Sequence, residues 1–186
     1  MTWYCKYAPG HQFHGPYHDT EYGFPTEDET VLMERLALEI MQAGLNWLII
    51  LKKRNGLNRA FGAFRVDTMA GYGDKDVKRL LNDENNIRNH IKVAAIIENA
   101  KRVQAMRASH GGFAGWIAAH HPLTKADWVK LFKKTFKFTG GEITGEFLMS
   151  IGYLPGCHCV DCPTFKKIAR LAPPWMQVGT AFYEGG

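Results

Sequence analysis

The 186-residue sequence has no long apolar run and little sign of β-structure. Its longest apolar stretch, Trp47–Leu51, is followed at once by the basic residues 52–54, whereas a membrane-spanning helix needs about 18 apolar residues. No extended stretch alternates between apolar and polar residues, and no segment is repeated. These absences exclude a membrane span, a β-sandwich or barrel and a solenoid, so we expect an irregular all-α domain.

Cysteine is also scarce, with four residues in the chain. The first six residues lack the basic region and apolar core of a secretory signal, so we expect a reducing, cytoplasmic location. In that compartment, cysteines are more often metal ligands or buried thiols than disulfide partners.

Positive charge and aromatic side chains are plentiful by contrast. Lys and Arg total 23 against 18 Asp and Glu, which gives a net charge of +5 and a pI near 9.0. Trp, Tyr and Phe make up 12% of the chain, and 46% of all residues are hydrophobic. The composition excludes a disordered chain and is compatible with a nucleic-acid-binding domain. The length fits one domain over residues 1–186.

Apolar spacing and capping signals predict a series of helices. The first begins at a capping box formed by Thr26 and Glu29 and carries Leu32, Leu36 and Ile40 on one face. Residues 1–25 are rich in Gly and Pro and are predicted to be irregular, and residues after Pro173–Pro174 show no clear pattern. The predicted helices cover about residues 26–43, 46–53, 57–64, 74–81, 87–110, 113–120, 124–136, 142–151 and 161–171.

Cysteine and histidine residues near both ends form a candidate metal site. Cys5 and His18 lie in the N-terminal segment, and residues 157–162 read Cys-His-Cys-Val-Asp-Cys. Four such ligands are typical of a closed structural zinc site. The downstream pair could be His158 with Cys162, or Cys159 with Cys162, and the alternative is that these are ordinary buried side chains. The His-x-Glu and Pro-Cys-x-x-Cys elements of zinc deaminases are missing.

A basic helix and a double-glycine turn form a candidate phosphate-binding element. Residues 125–137 contain five lysines and a single acid, Asp127, and the turn at Gly140–Gly141 precedes another predicted helix. Backbone amides at a helix N-terminus bind phosphate well. The alternative is a solvated helix face followed by an ordinary corner between two helices.

Glu39 is an acid within a strongly apolar helical stretch. Burial of a carboxylate is costly unless it faces a cavity or has a partner. Trp47 follows two helical turns later, and Tyr17 and Tyr22 lie in the N-terminal segment. Together these residues would form a pocket for a flat ring that carries N–H donors and can be cationic. A structural ion pair between Glu39 and Arg35 is the alternative.

These stretches resemble the bacterial DNA-3-methyladenine glycosylase I family. The similarity extends from about Cys5 to Cys162. The matching stretches are residues 17–23 (YHDTEYG), 38–47 (LEIMQAGLNW), 51–54 (LKKR), 86–92 (NIRNHIK) and 136–140 (FKFTG).

The resemblance implies an all-α fold of the helix-hairpin-helix glycosylase superfamily, in which a structural zinc connects residues 1–25 and 152–186 and a helical body at 26–151 carries a hairpin at 137–141. The implied zinc ligands are Cys5, His18, His158 and Cys162, without Cys157 and Cys159. The implied catalytic carboxylate is Glu39, and the implied substrate-binding residues are Tyr17, Trp47, Tyr22, Tyr7 and His14. The implied DNA-binding residues are Lys137, Thr139, Gly140 and Gly141.

The function implied by the resemblance is hydrolysis of the N-glycosidic bond of 3-methyladenine in alkylated double-stranded DNA by a monomeric repair enzyme. Two other functions stay open. A non-catalytic helix-hairpin-helix module would bind DNA without needing Glu39, and a zinc hydrolase of small molecules would need an open metal position. Neither Glu142 nor Glu146, the acids that follow the hairpin, fits the role of general base from sequence.

Overall fold

The computed structural model describes residues 3–184, in which every regular element is a helix. The helices are α1 (Trp3–Tyr7), α2 (His14–Thr20), α3 (Glu29–Gln42), α4 (Trp47–Ala60), α5 (Val66–Ala70), α6 (Asp74–Asn82), α7 (His90–His110), α8 (Phe113–His120), α9 (Lys125–Thr135), α10 (Gly141–Ser150), α11 (Pro163–Arg170), α12 (Pro174–Val178) and α13 (Ala181–Glu184). None of the helices within this range has both the length and the apolar content that crossing a membrane requires.

Helix α3 lies at the centre of the fold and contacts α4, α5, α7, α8 and α10. Its predicted face of Leu32, Leu36 and Ile40 is fully buried. The predicted capping box at Thr26 is wrong, because Asp28 is the N-cap and its carboxylate accepts hydrogen bonds from the Thr30 and Val31 amides at 2.8 and 3.1 Å. A carboxylate at this position also interacts favourably with the helix dipole.

Helix α4 is one continuous element, whereas the sequence predicted a break before Leu57. Gly56 lies inside the helix because the chain at Asn85 crosses it closely: a Cβ atom on Gly56 would lie 2.6 Å from Asn85 Cβ. The glycine therefore permits close packing and does not end the helix. The side chain of Asn46 caps the start of α4 by accepting from the Leu48 amide at 2.8 Å.

The prediction that residues 1–25 are irregular is also wrong, because α1 and α2 occupy much of that segment. Helices α5, α12 and α13 were likewise not predicted. Helices of four to seven residues are too short to show an apolar period and are marginal in isolation. They are stabilised here by packing, since Tyr17 of α2 and Trp175 of α12 are buried.

The segment that joins α2 to α3 is fixed to the helical body by backbone and ionic contacts. The Gly23 amide donates to the Ser150 carbonyl at 2.8 Å, and Gly23 has a φ of +87°. A Cβ atom at Gly23 would lie 2.5 Å from the sulfur of Cys157. The guanidinium of Arg54 forms a two-pronged pair with Glu21, with both distances at 2.7 Å, and also bonds Glu34. The N-terminal helices are thereby held against α3, α4 and the chain after α10.

Candidate functional site

A cavity of about 1040 Å³ lies between the N-terminal helices, the joint of α3 and α4, and the start of α10. Its walls are mainly aromatic, and three carboxylates contribute to them. The lining includes Trp3, Tyr4, Tyr7, His14, Tyr17, Tyr22, Glu39, Trp47, Gly140, Gly141, Glu142 and Glu146. All six residues predicted to bind or act on a base therefore line one cavity.

Three aromatic rings form the inner wall of this cavity. The ring of Tyr17 meets Trp47 edge-on at 5.1 Å and lies nearly parallel to Tyr22 at 5.6 Å. Trp47 is the first residue of α4, so its position depends on where that helix begins. Rings at these separations attract one another and form a rigid surface on which a flat ligand can stack.

The outer wall comes from α1 and the start of α2. The hydroxyl of Tyr4 lies 3.2 Å from His14 Nδ1, and the ring of Tyr7 meets His14 edge-on at 5.1 Å. Trp3 is exposed and stacks on Tyr7 at 5.2 Å. Sequence reasoning missed Trp3 and Tyr4, because a helix of five residues is too short to show a period in the sequence.

Glu39 is 5% exposed and faces the cavity from α3. Within residues 3–184, no group donates a hydrogen bond to its carboxylate. Burial, together with the charge of Glu146, raises the pKa of the Glu39 carboxyl well above its usual range. A buried acceptor of this kind is available to a ligand.

The alternative of an ion pair between Glu39 and Arg35 is not realised among the described residues. The guanidinium of Arg35 donates instead to the backbone carbonyl of Glu21 at 2.8 Å and to that of Ser150. It therefore stabilises the chain on either side of α3 and leaves Glu39 without a charged hydrogen-bond partner.

Glu146 is a half-buried acid of α10 that faces the same cavity. Its carboxylate accepts a hydrogen bond from the Tyr22 hydroxyl at 2.9 Å. Burial raises the pKa of the Glu146 carboxyl, although the bond from Tyr22 opposes the shift. Sequence reasoning placed Glu146 near the hairpin and not in the pocket, because the sequence of α10 does not show which of its faces meets the N-terminal segment.

The turn between α9 and α10 brings the predicted DNA-binding residues to the rim of the cavity. Gly140 and Gly141 line the cavity, and Lys137 is exposed beside it in sequence. Buried Asn99 holds the turn by accepting from the Lys137 amide at 2.7 Å and donating to its carbonyl at 3.0 Å. The Thr139 hydroxyl is buried and donates to the Phe132 carbonyl at 3.0 Å, so its side chain stabilises the turn.

The structure brings Cys5, His18, His158 and Cys162 together in one buried cluster. One ligand atom of each lies within 4.8 Å of all the others. His158 Nδ1 is 3.6 Å from Cys5 Sγ and 3.7 Å from Cys162 Sγ, and His18 Nε2 is 3.8 Å from Cys162 Sγ. Zinc bonds of 2.0 to 2.3 Å place tetrahedral ligand atoms roughly 3.4 to 3.8 Å apart. The cluster could therefore hold a metal ion.

Neighbouring groups orient both imidazoles of this metal-ligand cluster. His18 Nδ1 lies 2.6 Å from an Asp19 carboxylate oxygen, and His158 Nε2 lies 2.8 Å from the Tyr22 carbonyl. These contacts leave His18 Nε2 and His158 Nδ1 to face the sulfurs, an arrangement typical of metal-binding histidines. The cluster uses His158 with Cys162, while Cys157 lies outside it and lines the base cavity.

Comparisons with known proteins agree with this geometry. A family model described as methyladenine glycosylase matches residues 7–128. The chain is 31% identical to the DNA-3-methyladenine glycosylase of Haemophilus influenzae, over 88% of this chain and 98% of that protein. It is 32% identical to DNA-3-methyladenine glycosylase 1 of Escherichia coli K12, over 85% of this chain and 94% of that protein.

Solved structures give the same relationship. The 3-methyladenine DNA glycosylase I of Staphylococcus aureus superposes with a TM-score of 0.77 at 27% identity, covering 86% of this chain and 95% of that one. A point variant of a 3-methyladenine DNA glycosylase I in complex with 3-methyladenine superposes with a TM-score of 0.78 at 27% identity, covering 86% and 96%. The chain therefore belongs to the methyladenine glycosylase family, that of the DNA-3-methyladenine glycosylase I enzymes.

Proposed function

We propose that this enzyme excises 3-methyladenine from double-stranded DNA by hydrolysing the bond between the base and its deoxyribose. The observation that carries the proposal is the Glu39 carboxylate, which is buried without a hydrogen-bond donor among the described residues and faces a cavity with aromatic walls. The related proteins named above are enzymes of 3-methyladenine excision, and one structural neighbour holds that base.

The damaged base must leave the duplex stack before the enzyme can reach its glycosidic bond. In the cavity, the base would stack on Tyr17 and Trp47, whose rings attract its positive charge. Tyr22, Tyr7 and His14 would complete the aromatic walls. Glu39 would accept hydrogen bonds from the N–H groups of the base, and these bonds are strong because the acceptor is ionised.

Methylation at N3 makes the adenine cationic, so the base leaves as a neutral molecule. The electrons of the glycosidic bond move to the base, the sugar becomes cationic, and water then adds to the sugar carbon and loses a proton to solvent. The positive charge passes from base to sugar, and the DNA phosphates stabilise it. This leaving group needs no protonation, so the reaction requires less acid catalysis than removal of a normal base.

The hairpin would anchor the DNA next to the cavity. The ammonium of Lys137 and the backbone amides of Thr139, Gly140 and Gly141 would contact phosphates, which positions the duplex without reading its sequence. The exposed lysines of α9 add to this basic surface. Helices α9 and α10 with the turn between them would act as a helix-hairpin-helix element, and we propose that the enzyme binds DNA as a monomer.

The cluster of Cys5, His18, His158 and Cys162 would hold a structural zinc ion. Two thiolates and two imidazoles form a complete tetrahedral set, and their burial and spacing fit it. The ion would connect residues 1–25 with 152–186 within a single domain that spans residues 1–186. Four protein ligands leave no position for a reactive water, so the cluster does not support a zinc hydrolase.

Assay of base release tests the proposed function. Duplex DNA treated with a methylating agent is incubated with excess enzyme, and the bases released are separated chromatographically. We expect release of 3-methyladenine in a single exponential phase. DNA binding without release of any base would instead indicate the non-catalytic module.

A further inference from the structure

Three acids line the aromatic cavity, and two of them are buried or half-buried, whereas the side chain of Glu142 is 92% exposed. Glu39 comes from the middle of α3, and Glu146 comes from the second turn of α10. Recognition of the base as proposed above requires only the Glu39 carboxylate, so the presence of Glu146 in the cavity needs a separate explanation.

Folding does not explain why Glu146 is an acid. Its hydrogen-bond donor is the neutral hydroxyl of Tyr22. The ammonium of Lys125 pairs with Glu142 at 3.9 Å, and its attraction for Glu146 does not offset the burial that raises the pKa of the Glu146 carboxyl. A second carboxylate close to Glu39 adds repulsion between like charges to the cost of burial. A cationic ligand would offset both costs, whereas a neutral ligand would offset neither.

We propose that Glu146 is a second recognition carboxylate, which with Glu39 restricts the cavity to N-alkylated purines that carry a positive charge. The proposal rests on the proposed function, since it concerns the substrate class of the same cavity. A neutral purine would leave two carboxylates without a counter-charge. A purine alkylated on a ring nitrogen supplies that charge together with N–H donors.

Tyr22 acts as the positioning residue for Glu146. Its ring is fixed by stacking on Tyr17 at 5.6 Å, and its backbone carbonyl is held by His158 at 2.8 Å. The hydroxyl is therefore presented to Glu146 from a rigid support, at 2.9 Å. This bond orients the carboxylate at the cavity wall, and its loss would weaken the preference for cations without removing the charge.

Calorimetric binding of two small probes tests the proposal. The probes are 3,9-dimethyladeninium, which is cationic and cannot be excised, and neutral 9-methyladenine. We expect wild-type enzyme to prefer the cation and the Glu146→Gln variant to lose at least about tenfold of that preference, because a charged acceptor becomes a neutral one. Glutamine can still accept from Tyr22, so the fold should persist.

Glu84→Gln is the matched control, because it removes one negative charge at an exposed position outside the cavity lining. This variant should keep the wild-type ratio of cation to neutral affinity. Tyr22→Phe should lower the ratio by a smaller factor than Glu146→Gln. An unchanged ratio in Glu146→Gln overturns the proposal, and if that variant does not fold, an unchanged ratio in Tyr22→Phe overturns it.

Single-turnover release of 3-methyladenine, measured on the same preparations, separates this proposal from the proposed function. A wild-type enzyme that releases no base contradicts both. A wild-type enzyme that releases the base, with an unchanged affinity ratio in Glu146→Gln, contradicts the role of Glu146 alone.

Discussion

At the scale of single residues, Glu39 combines an unfavourable position for folding with a favourable one for recognition. It is buried in the central helix, and no described group donates a hydrogen bond to it. An acid in such a position destabilises the folded state whenever it is ionised. A cationic base in the cavity offsets this cost. Recognition of such a base therefore explains why an acid occupies this buried position, whereas folding alone does not.

Glu39→Gln should therefore raise the melting temperature at neutral pH. The folded-state pKa of Glu39 lies above its unfolded value, so wild-type stability is full at low pH and declines as the pH rises from about 4.3 through the folded pKa. Glutamine does not titrate, so the stability of the variant lacks this dependence on pH. Melting curves of both proteins between pH 4 and 8 should diverge with increasing pH, and a variant less stable than wild type at pH 8 would contradict this account.

At the scale of elements, the joint between α3 and α4 sets the distance between Glu39 and Trp47. Buried Lys92 of α7 donates to the carbonyls of Met41 and Ala43 at 2.9 and 2.6 Å, which satisfies the end of α3. Burial lowers the pKa of the Lys92 ammonium. Helix α7 thus fixes the turn between α3 and α4, so the shape of the pocket depends on α7 as well as on α3 and α4.

Lys92→Met should loosen this joint, because two carbonyls at the end of α3 lose their donor. We expect the affinity for free 3-methyladenine to fall several-fold while affinity for undamaged duplex is retained, since Asn99 and not Lys92 holds the hairpin. Titration of both ligands checks this. An unchanged affinity for the base would show that Lys92 does not help to shape the pocket.

The hairpin is the element that should determine DNA affinity. Lys137→Ala should weaken binding of damaged and undamaged duplex to the same extent and reduce the salt dependence by roughly one phosphate contact. Lys75→Ala on α6, also exposed, is the control and should leave affinity unchanged. Fluorescence anisotropy at several salt concentrations measures both, and equal behaviour of the two variants would place the hairpin outside the interface.

The longer elements could be predicted from sequence because they carry complete signals. The predicted end of α7 at residue 110 is confirmed, since Gly111 follows it in a left-handed conformation, and the side chain of Thr124 caps α9. Helix α1 could not be predicted, because five residues show no period and its stability comes from the aromatic contacts of Tyr4 and Tyr7. The orientation of Glu146 is likewise fixed only by the packing of α10 against Tyr22.

At the scale of the whole molecule, the metal-ligand cluster joins the two ends of the chain. Cys5 and His18 precede the helical body, and His158 and Cys162 follow it. The Tyr22 carbonyl holds His158 while the Tyr22 hydroxyl holds Glu146, so the cluster and the base cavity share one residue. Loss of the proposed zinc ion should therefore affect base binding as well as stability.

Cys5→Ala should remove the metal and lower the melting temperature by roughly 10 °C, because metal binding contributes folding free energy. Cys157→Ala should keep full metal content, since Cys157 lies outside the cluster. Elemental analysis together with thermal melting checks both variants. Full zinc content in Cys5→Ala, or loss of zinc in Cys157→Ala, would show that the ligand set is wrong.

Recognition of a cationic base by the buried Glu39 is the central claim, and single-turnover excision tests it most directly. Wild-type and Glu39→Gln enzymes are compared on the same duplex containing 3-methyladenine, with enzyme in excess and the folded fraction measured. We expect the rate per folded molecule to fall by about tenfold to a hundredfold, because the free energy of a hydrogen bond to a charged group corresponds to a rate change of this size. An unchanged excision rate per folded molecule would contradict the account.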